Sequence, residues 1–148
     1  MSASTPRRLL VVANRTATTP RLLDAVRSKA AERPTEVTLL VPAFATVFDP
    51  EALETRHTLE LAIPLLEEAT DTSVTGIVGD PDAFTAVRDA IEQTAYDEVI
   101  ISTLPTRISR WLKRDLPRRV ERLGVPVTVV TASPAARMMA QSMVPQSP

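Results

Sequence analysis

Five short apolar runs alternate with four longer amphipathic ones along the chain. The short runs cover residues 9–13, 37–41, 74–78, 98–102 and 127–131. They are rich in Val, Ile and Leu and nearly continuous, without the alternation of a half-exposed strand. That pattern predicts parallel strands covered by helices on both faces. The longer stretches repeat apolar residues at helical spacing, and their starts are signalled. Thr19-Pro20, Asp49-Pro50 and Asp80-Pro81 each pair an N-cap residue type with proline at the first helical position. The predicted buried stripes are Leu22, Leu23, Val26 and Ala30 in the first helix, and Leu53, His57, Leu61 and Leu65 in the second. The third carries Phe84, Val87 and Ile91, and the fourth Ile108, Leu112, Leu116, Val120 and Leu123. Pro64 and Pro117 fall inside two of these stripes and should kink or restart their helices. Gly124 is placed to close the fourth helix.

The order β-α-β-α-β-α-β-α-β predicts a three-layer, doubly wound α/β domain over residues 7–131. Residues 1–6 read as a polar leader and 132–148 as a mobile tail. Within that tail Met138, Met139 and Met143 offer soft apolar contacts to a partner. No repeat is visible.

Composition narrows the chemistry. The chain of 148 residues holds three glycines, where average usage of about 7% would give roughly ten. Phosphate-cradling loops need two or three glycines within a few residues, and only Gly76 and Gly79 lie close together. No cysteine and one histidine exclude disulfides, thiolate metal sites, a cysteine nucleophile and a multi-histidine centre. At 3% aromatic residues there is no stacking platform for single-stranded nucleic acid. No apolar run approaches the ~20 residues of a membrane span, and no signal core opens the chain, so a cytoplasmic protein is expected.

Charge is unevenly spread. Residues 107–122 hold seven basic and two acidic side chains, a net +5 in a chain whose total is −1. The alternative for this cationic helix is a solvated face. A nucleic-acid role would need aromatic residues or a recognition motif, and neither is present.

Open parallel sheets bind ligands beyond the carboxyl ends of their strands, where the strand order reverses. The residues there are Asn14 and Arg15 after the first strand and Val41 at the end of the second. Ser102, Thr103 and Arg107 follow the fourth strand, with Ser109 and Arg110 just beyond. The step from strand to cationic helix at 102–110 suits an anion, held by backbone N–H groups and Arg107 or Arg110. No nucleophile–base pair is visible, because His57 sits within an apolar stripe and reads as a packing residue. The HxGH, KMSKS and SGGxDS signatures are absent. A response-regulator reading fails because Asn14-Arg15 replaces the acidic pair and the fifth strand is followed by no lysine. No enzyme activity, no metal and no resident cofactor are expected.

With the strand and helix order in place, four segments resemble the universal stress protein family. They are Val78-Gly79-Asp80-Pro81, Ala95-Tyr96-Asp97-Glu98-Val99-Ile100-Ile101, Ile108-Ser109-Arg110-Trp111-Leu112 and Val125-Pro126-Val127-Thr128-Val129-Val130. The likeness spans essentially residues 7–131. It implies the adenine nucleotide alpha hydrolase-like fold with strand order 3-2-1-4-5, and a stress-linked regulatory role. It also implies a homodimer paired through the last strand at Val127, Val129 and Val130, acting through a protein partner. The family's ATP-binding members carry G-x2-G-x9-G-[ST] after the fourth strand. The matching positions here are Ser102, Pro105 and Arg114-Asp115, with one residue fewer in the second gap. All the glycines are gone. Side chains at Ser102 and Pro105 should obstruct the backbone's approach to phosphate, and proline also removes a donor. Asn14 stands where a nucleotide-contacting aspartate usually follows the first strand. The departures argue against standard ATP binding and leave room for a noncanonical nucleotide or another phosphorylated ligand.

Overall fold

The computed structural model describes residues 6–14, 16–43, 51–103, 111 and 115–131, with only the backbone of 51–55. The predicted leader (save Pro6) and tail lie outside these, as do Arg15, Pro105, Arg107, Ser109 and Arg110.

The element order is β1 Arg7–Val12, α1 Pro20–Glu32, β2 Thr35–Pro42, α2 Glu51–Thr70, β3 Val74–Gly79, α3 Ala83–Gln93, β4 Glu98–Thr103, α4 Leu116–Glu121 and β5 Val127–Thr131. The five strands form one parallel sheet in the order β3-β2-β1-β4-β5. β1 sits at its centre, with Leu10 opposite Thr38 of β2 and Val99 of β4.

The continuous apolar runs are explained by burial on both faces. Leu9 and Val11 point into one core with Leu22 and Val26 of α1 and Ala62 and Leu66 of α2. Leu10 and Val12 point the other way, among Ala86 and Val87 of α3 and Leu116 and Val120 of α4. Among the described residues, two helices therefore cover each face. Each buried leucine or valine of β1 contributes about 1.5–3 kcal/mol.

Two of the three glycines serve the edge strand β3 from opposite sides. A Cβ on Gly76 would lie 2.6 Å from Ile63 Cδ1, and one on Gly79 would lie 2.7 Å from the Ala86 Cβ. Glycine lets α2 and α3 approach β3 closely. Gly124, at φ +95°, takes the left-handed turn that follows α4.

Several boundaries differ from the sequence reading. β1 and β2 begin two residues earlier, at Arg7 and Thr35, with polar residues that the apolar pattern does not reveal. α3 is capped by Asp82, whose carboxylate accepts from the Thr85 N–H at 3.0 Å and hydroxyl at 2.8 Å. Asp80 instead accepts from the Asp82 N–H at 2.8 Å, so Pro81 lies in the turn before the helix. Thr19 precedes α1, but its hydroxyl donates back to the Thr16 carbonyl and does not cap the helix. α2 runs through Pro64 without a break. α4 begins at Leu116, after Asp115 in a left-handed conformation at φ 59°, with Pro117 in its first turn; of the predicted stripe before it, Ile108 and Leu112 lie outside the described residues.

The stripe of α2 is the main correction. Ala62 and Leu66 are buried and Leu59 and Ile63 pack beside them, whereas Leu61 is 52% and Leu65 38% exposed. His57 is exposed with them, its Nδ1 3.9 Å from Glu60 Oε1, and is no packing residue.

Candidate functional site

The strand order reverses between β1 and β4, which are neighbours in the sheet but are followed by connections running in opposite directions. The carboxyl ends of these strands frame the crevice where such folds hold ligands. β1 ends at Val12. Ala13 stays tied to β2 through its N–H, 3.2 Å from the Leu40 carbonyl. The chain then turns sharply: the Asn14 carbonyl accepts from the Ala17 N–H, and the Thr16 carbonyl from the Thr19 N–H, both at 3.1 Å. This turn swings Thr16 over the end of β4.

There Thr16 Oγ1 and Ser102 Oγ lie 2.6 Å apart. Both residues are buried, at 3% and 2% exposure. The bond crosses the switch point directly, joining the first strand–helix connection to the last turn of β4. One residue on, Thr103 is buried as well, with its hydroxyl 3.4 Å from that of Thr131 at the end of β5. The Thr131 carbonyl accepts from Arg21 Nη1 of α1 at 3.1 Å.

The predicted residues are thus partly brought together. Ser102 and Thr103 are at the end of β4, and Asn14 is half-buried in the turn that follows β1. Val41 is wholly buried one strand away, paired with Val78. Arg15, Arg107, Ser109 and Arg110 fall outside the described residues, and with them the predicted cationic approach to the crevice. Of the basic stretch, Arg118 and Arg122 are exposed, and Arg119 stacks on Phe84 with its guanidinium carbon 4.3 Å from the ring centroid. Thr131 was not read from the sequence as a site residue, and Thr16, which follows Arg15 after the first strand, was not singled out as one. Nothing local marks them, since each acquires its partner only by long-range pairing.

The electrostatics of the described chain centre elsewhere, at the amino ends of the strands. Glu98 Oε2 lies 3.0 Å from Lys29 Nζ and accepts from Thr128 Oγ1 at 2.8 Å. Arg7 reaches both Glu98 and Glu32. Its hydrogen bond to Glu32 holds that carboxyl below the usual carboxylate range. Among the described residues, no group of three or more His, Asp or Glu side chains is arranged to hold a metal ion. No described helix is long and apolar enough to cross a membrane.

Comparison with known proteins separates sequence from structure. No family model and no curated protein matches the sequence. The architecture does match solved structures. A universal stress protein in complex with cAMP aligns at TM-score 0.60 and 15% identity over 87% of this chain and all of that one. One from Archaeoglobus fulgidus aligns at TM-score 0.63 and 14% identity over 84% of this chain and 93% of its own. A family protein from Arabidopsis thaliana with AMP bound aligns at TM-score 0.56 and 10% identity over 88% and 94%. This chain has the universal stress protein fold. Strand order and helix placement, expected from the resemblance of four segments, agree with that fold, although identity is low throughout.

Proposed function

We propose that the chain is a non-enzymatic regulatory module of the universal stress type, homodimeric, acting in the cytoplasm through a protein partner, and without the standard ATP site. The observation that carries this reading is the buried Thr16–Ser102 bond across the switch point. A phosphate seated there would need free donors and a backbone it can approach closely. Here two hydroxyls already satisfy one another, and parting them without replacement costs about 1–3 kcal/mol. The close pair of glycines belongs to helix packing at β3, away from the crevice.

For the dimer, β5 is the support. It is the sheet's edge on one side, with Val129 40% exposed and Val127 and Val130 half-buried. An apolar edge of unpaired N–H and C=O groups is an aggregation hazard unless another strand covers it. Light scattering at micromolar concentration should give twice the chain mass; a monomer would overturn the dimer. Val129→Lys should yield the monomer with its fold intact, because the side chain is already partly in water.

A second reading is favoured by the mononucleotides in the similar structures, cAMP and AMP. A single phosphate asks less of the crevice than a triphosphate, and Arg107 or Arg110 would hold it. One thermal-shift titration distinguishes the two. No shift with ATP, AMP, cAMP or cyclic dinucleotides at millimolar ligand supports the ligand-free module, a saturable shift with AMP or cAMP alone selects the second reading, and a shift with ATP overturns both.

A further inference from the structure

β3 closes one side of the sheet, and among the described residues no strand pairs with its outer side. Natural edges are commonly blunted by lysine, proline or a bulge. β3 reads Val-Thr-Gly-Ile-Val-Gly, without charge or proline, and pairs with β2 through six consecutive residues.

Two bonds fix the direction of its main-chain groups. The Gly79 carbonyl accepts from the Ala43 N–H at 2.9 Å, so position 79 faces β2. Successive residues of a strand direct these groups to opposite sides. Thr75 and Ile77 therefore face β2 as well, while Val74, Gly76 and Val78 face outward. The Val74 N–H agrees, since it is taken by the side chain of Glu67, at 3.1 Å from Oε2. Beyond it, Gly76 offers no side chain to obstruct an approaching strand, and Val78 is 53% exposed.

Charge decides what such an edge can receive. The described side chains of residues 56–97 include nine acidic groups and two basic ones, Arg56 and Arg88, a net −7 in a chain whose total is −1. Arg88 lies 3.6 Å from Asp89. Carboxylates stand at both ends of the strand, Glu67 on Val74 and Asp80 directly after Gly79. Two such edges repel one another, as would an acidic strand. We infer that the outer edge of β3 receives an extended cationic segment of a partner protein, added as a sixth strand with its basic residues toward the ends. The main chain supplies the affinity of strand addition, and the side chains its specificity. The six residues of β3 span ~20 Å, room for a segment of about six residues. This inference rests on the reading of the chain as a module acting through a protein partner. It leaves β5 to the homodimer and makes no use of the crevice.

A fluorescent peptide of sequence KKVTVTVKK tests it. Anisotropy titration against the full chain at low salt should give saturable binding, with amide NMR shifts centred on Gly76 and Val78. The charge-reversed EEVTVTVEE should bind far more weakly, and so should KKVTVTVKK N-methylated throughout its Val-Thr run. Val78→Pro removes an outward donor without touching the β2 ladder, and Val78→Lys adds a repelling cation. Each should weaken binding at least several-fold with circular dichroism unchanged. No saturation at millimolar peptide, equal binding of the acidic or methylated peptide, or binding unaltered by Val78→Lys would overturn the inference. So would assemblies larger than the dimer that Val78→Lys dissolves, since the occupant would then be a second copy. A protein retained from cell extract equally by the parent and Val78→Lys would overturn this site and leave the partner reading standing.

Discussion

The two ends of the sheet are held by different chemistry. At the amino ends of the strands, charged groups meet: Arg7 and Glu98 have side chains only 11% and 13% exposed, and Lys29, Glu32 and Thr128 complete the contacts. At the carboxyl ends, where an open parallel sheet presents its ligand crevice, the described side-chain contacts include two neutral hydroxyl pairs, Thr16–Ser102 and Thr103–Thr131, beside the Arg21 bond to the Thr131 carbonyl. An ion pair taken from water is costly and must be well partnered to hold. A hydroxyl pair costs little to bury and closes a gap. The charge therefore sits where it fixes β1, α1, β4 and β5 to one another, and the two hydroxyl pairs described at the carboxyl ends are neutral.

Removing the central carboxylate should give the largest effect. Glu98→Ala leaves Arg7 and Lys29 facing each other, with Arg7 mostly buried. Breaking a buried pair typically costs about 3–5 kcal/mol. Lys29 is partly in water and Arg7 keeps Glu32, so about 2–3 kcal/mol is expected after solvent screening. Urea denaturation measures it directly. A cost below that of an ordinary surface substitution would mean that the amino end is not the sheet's ionic anchor.

The carboxyl end should respond more weakly and with a different signature. Ser102→Ala or Thr16→Val alone strands one buried hydroxyl, at about 1–2 kcal/mol. The double variant removes both partners and should cost less than the two singles together, with a coupling of about 1 kcal/mol. Strict additivity would show that the short contact carries no energy of its own. Thermal-shift titration of Ser102→Gly with AMP and ATP sharpens the comparison. If the hydroxyl pair is what closes the crevice, a nucleotide shift absent from the parent should appear.

Much of the fold was legible because the strands are buried on both faces, so residues 9–13 and 98–102 read as unbroken apolar runs. Their polar starts were not, since Arg7 and Thr35 belong to strands through contacts that no periodicity records. α2 was misread for a related reason. Its apolar residues occupy more than one face, and both 57/61/65 and 59/62/63/66 satisfy helical spacing. What decides is the partner surface: Gly76 makes a hollow for Ile63 and Leu59 on β3, and small Ala62 lets the helix sit close. Of the crevice, Ser102 and Thr103 were visible as the end of a strand. Thr16 was not, because its partner lies 86 residues away in sequence and a threonine in a turn has many local explanations.

The smallest effect belongs to the exposed branch of the amino-end contacts and appears as a pH dependence. Arg7 Nη2 donates to Glu32 Oε1 at 2.9 Å, and this bond holds the carboxyl below its ordinary value. The folded state therefore binds the Glu32 proton less tightly than the unfolded chain does. The resulting stabilisation is fully present above the ordinary glutamate range and is lost as pH falls through the lowered folded value. Arg7 stays charged throughout. The Glu32 side chain is 59% exposed, so water screens the pair and the gain is slight. Unfolding midpoints of the parent and Glu32→Gln, compared from about pH 6 to about pH 3, should differ most at the upper end and converge at the lower. If the two stay a constant distance apart, Arg7 is held by Glu98 alone and the exposed branch contributes only packing.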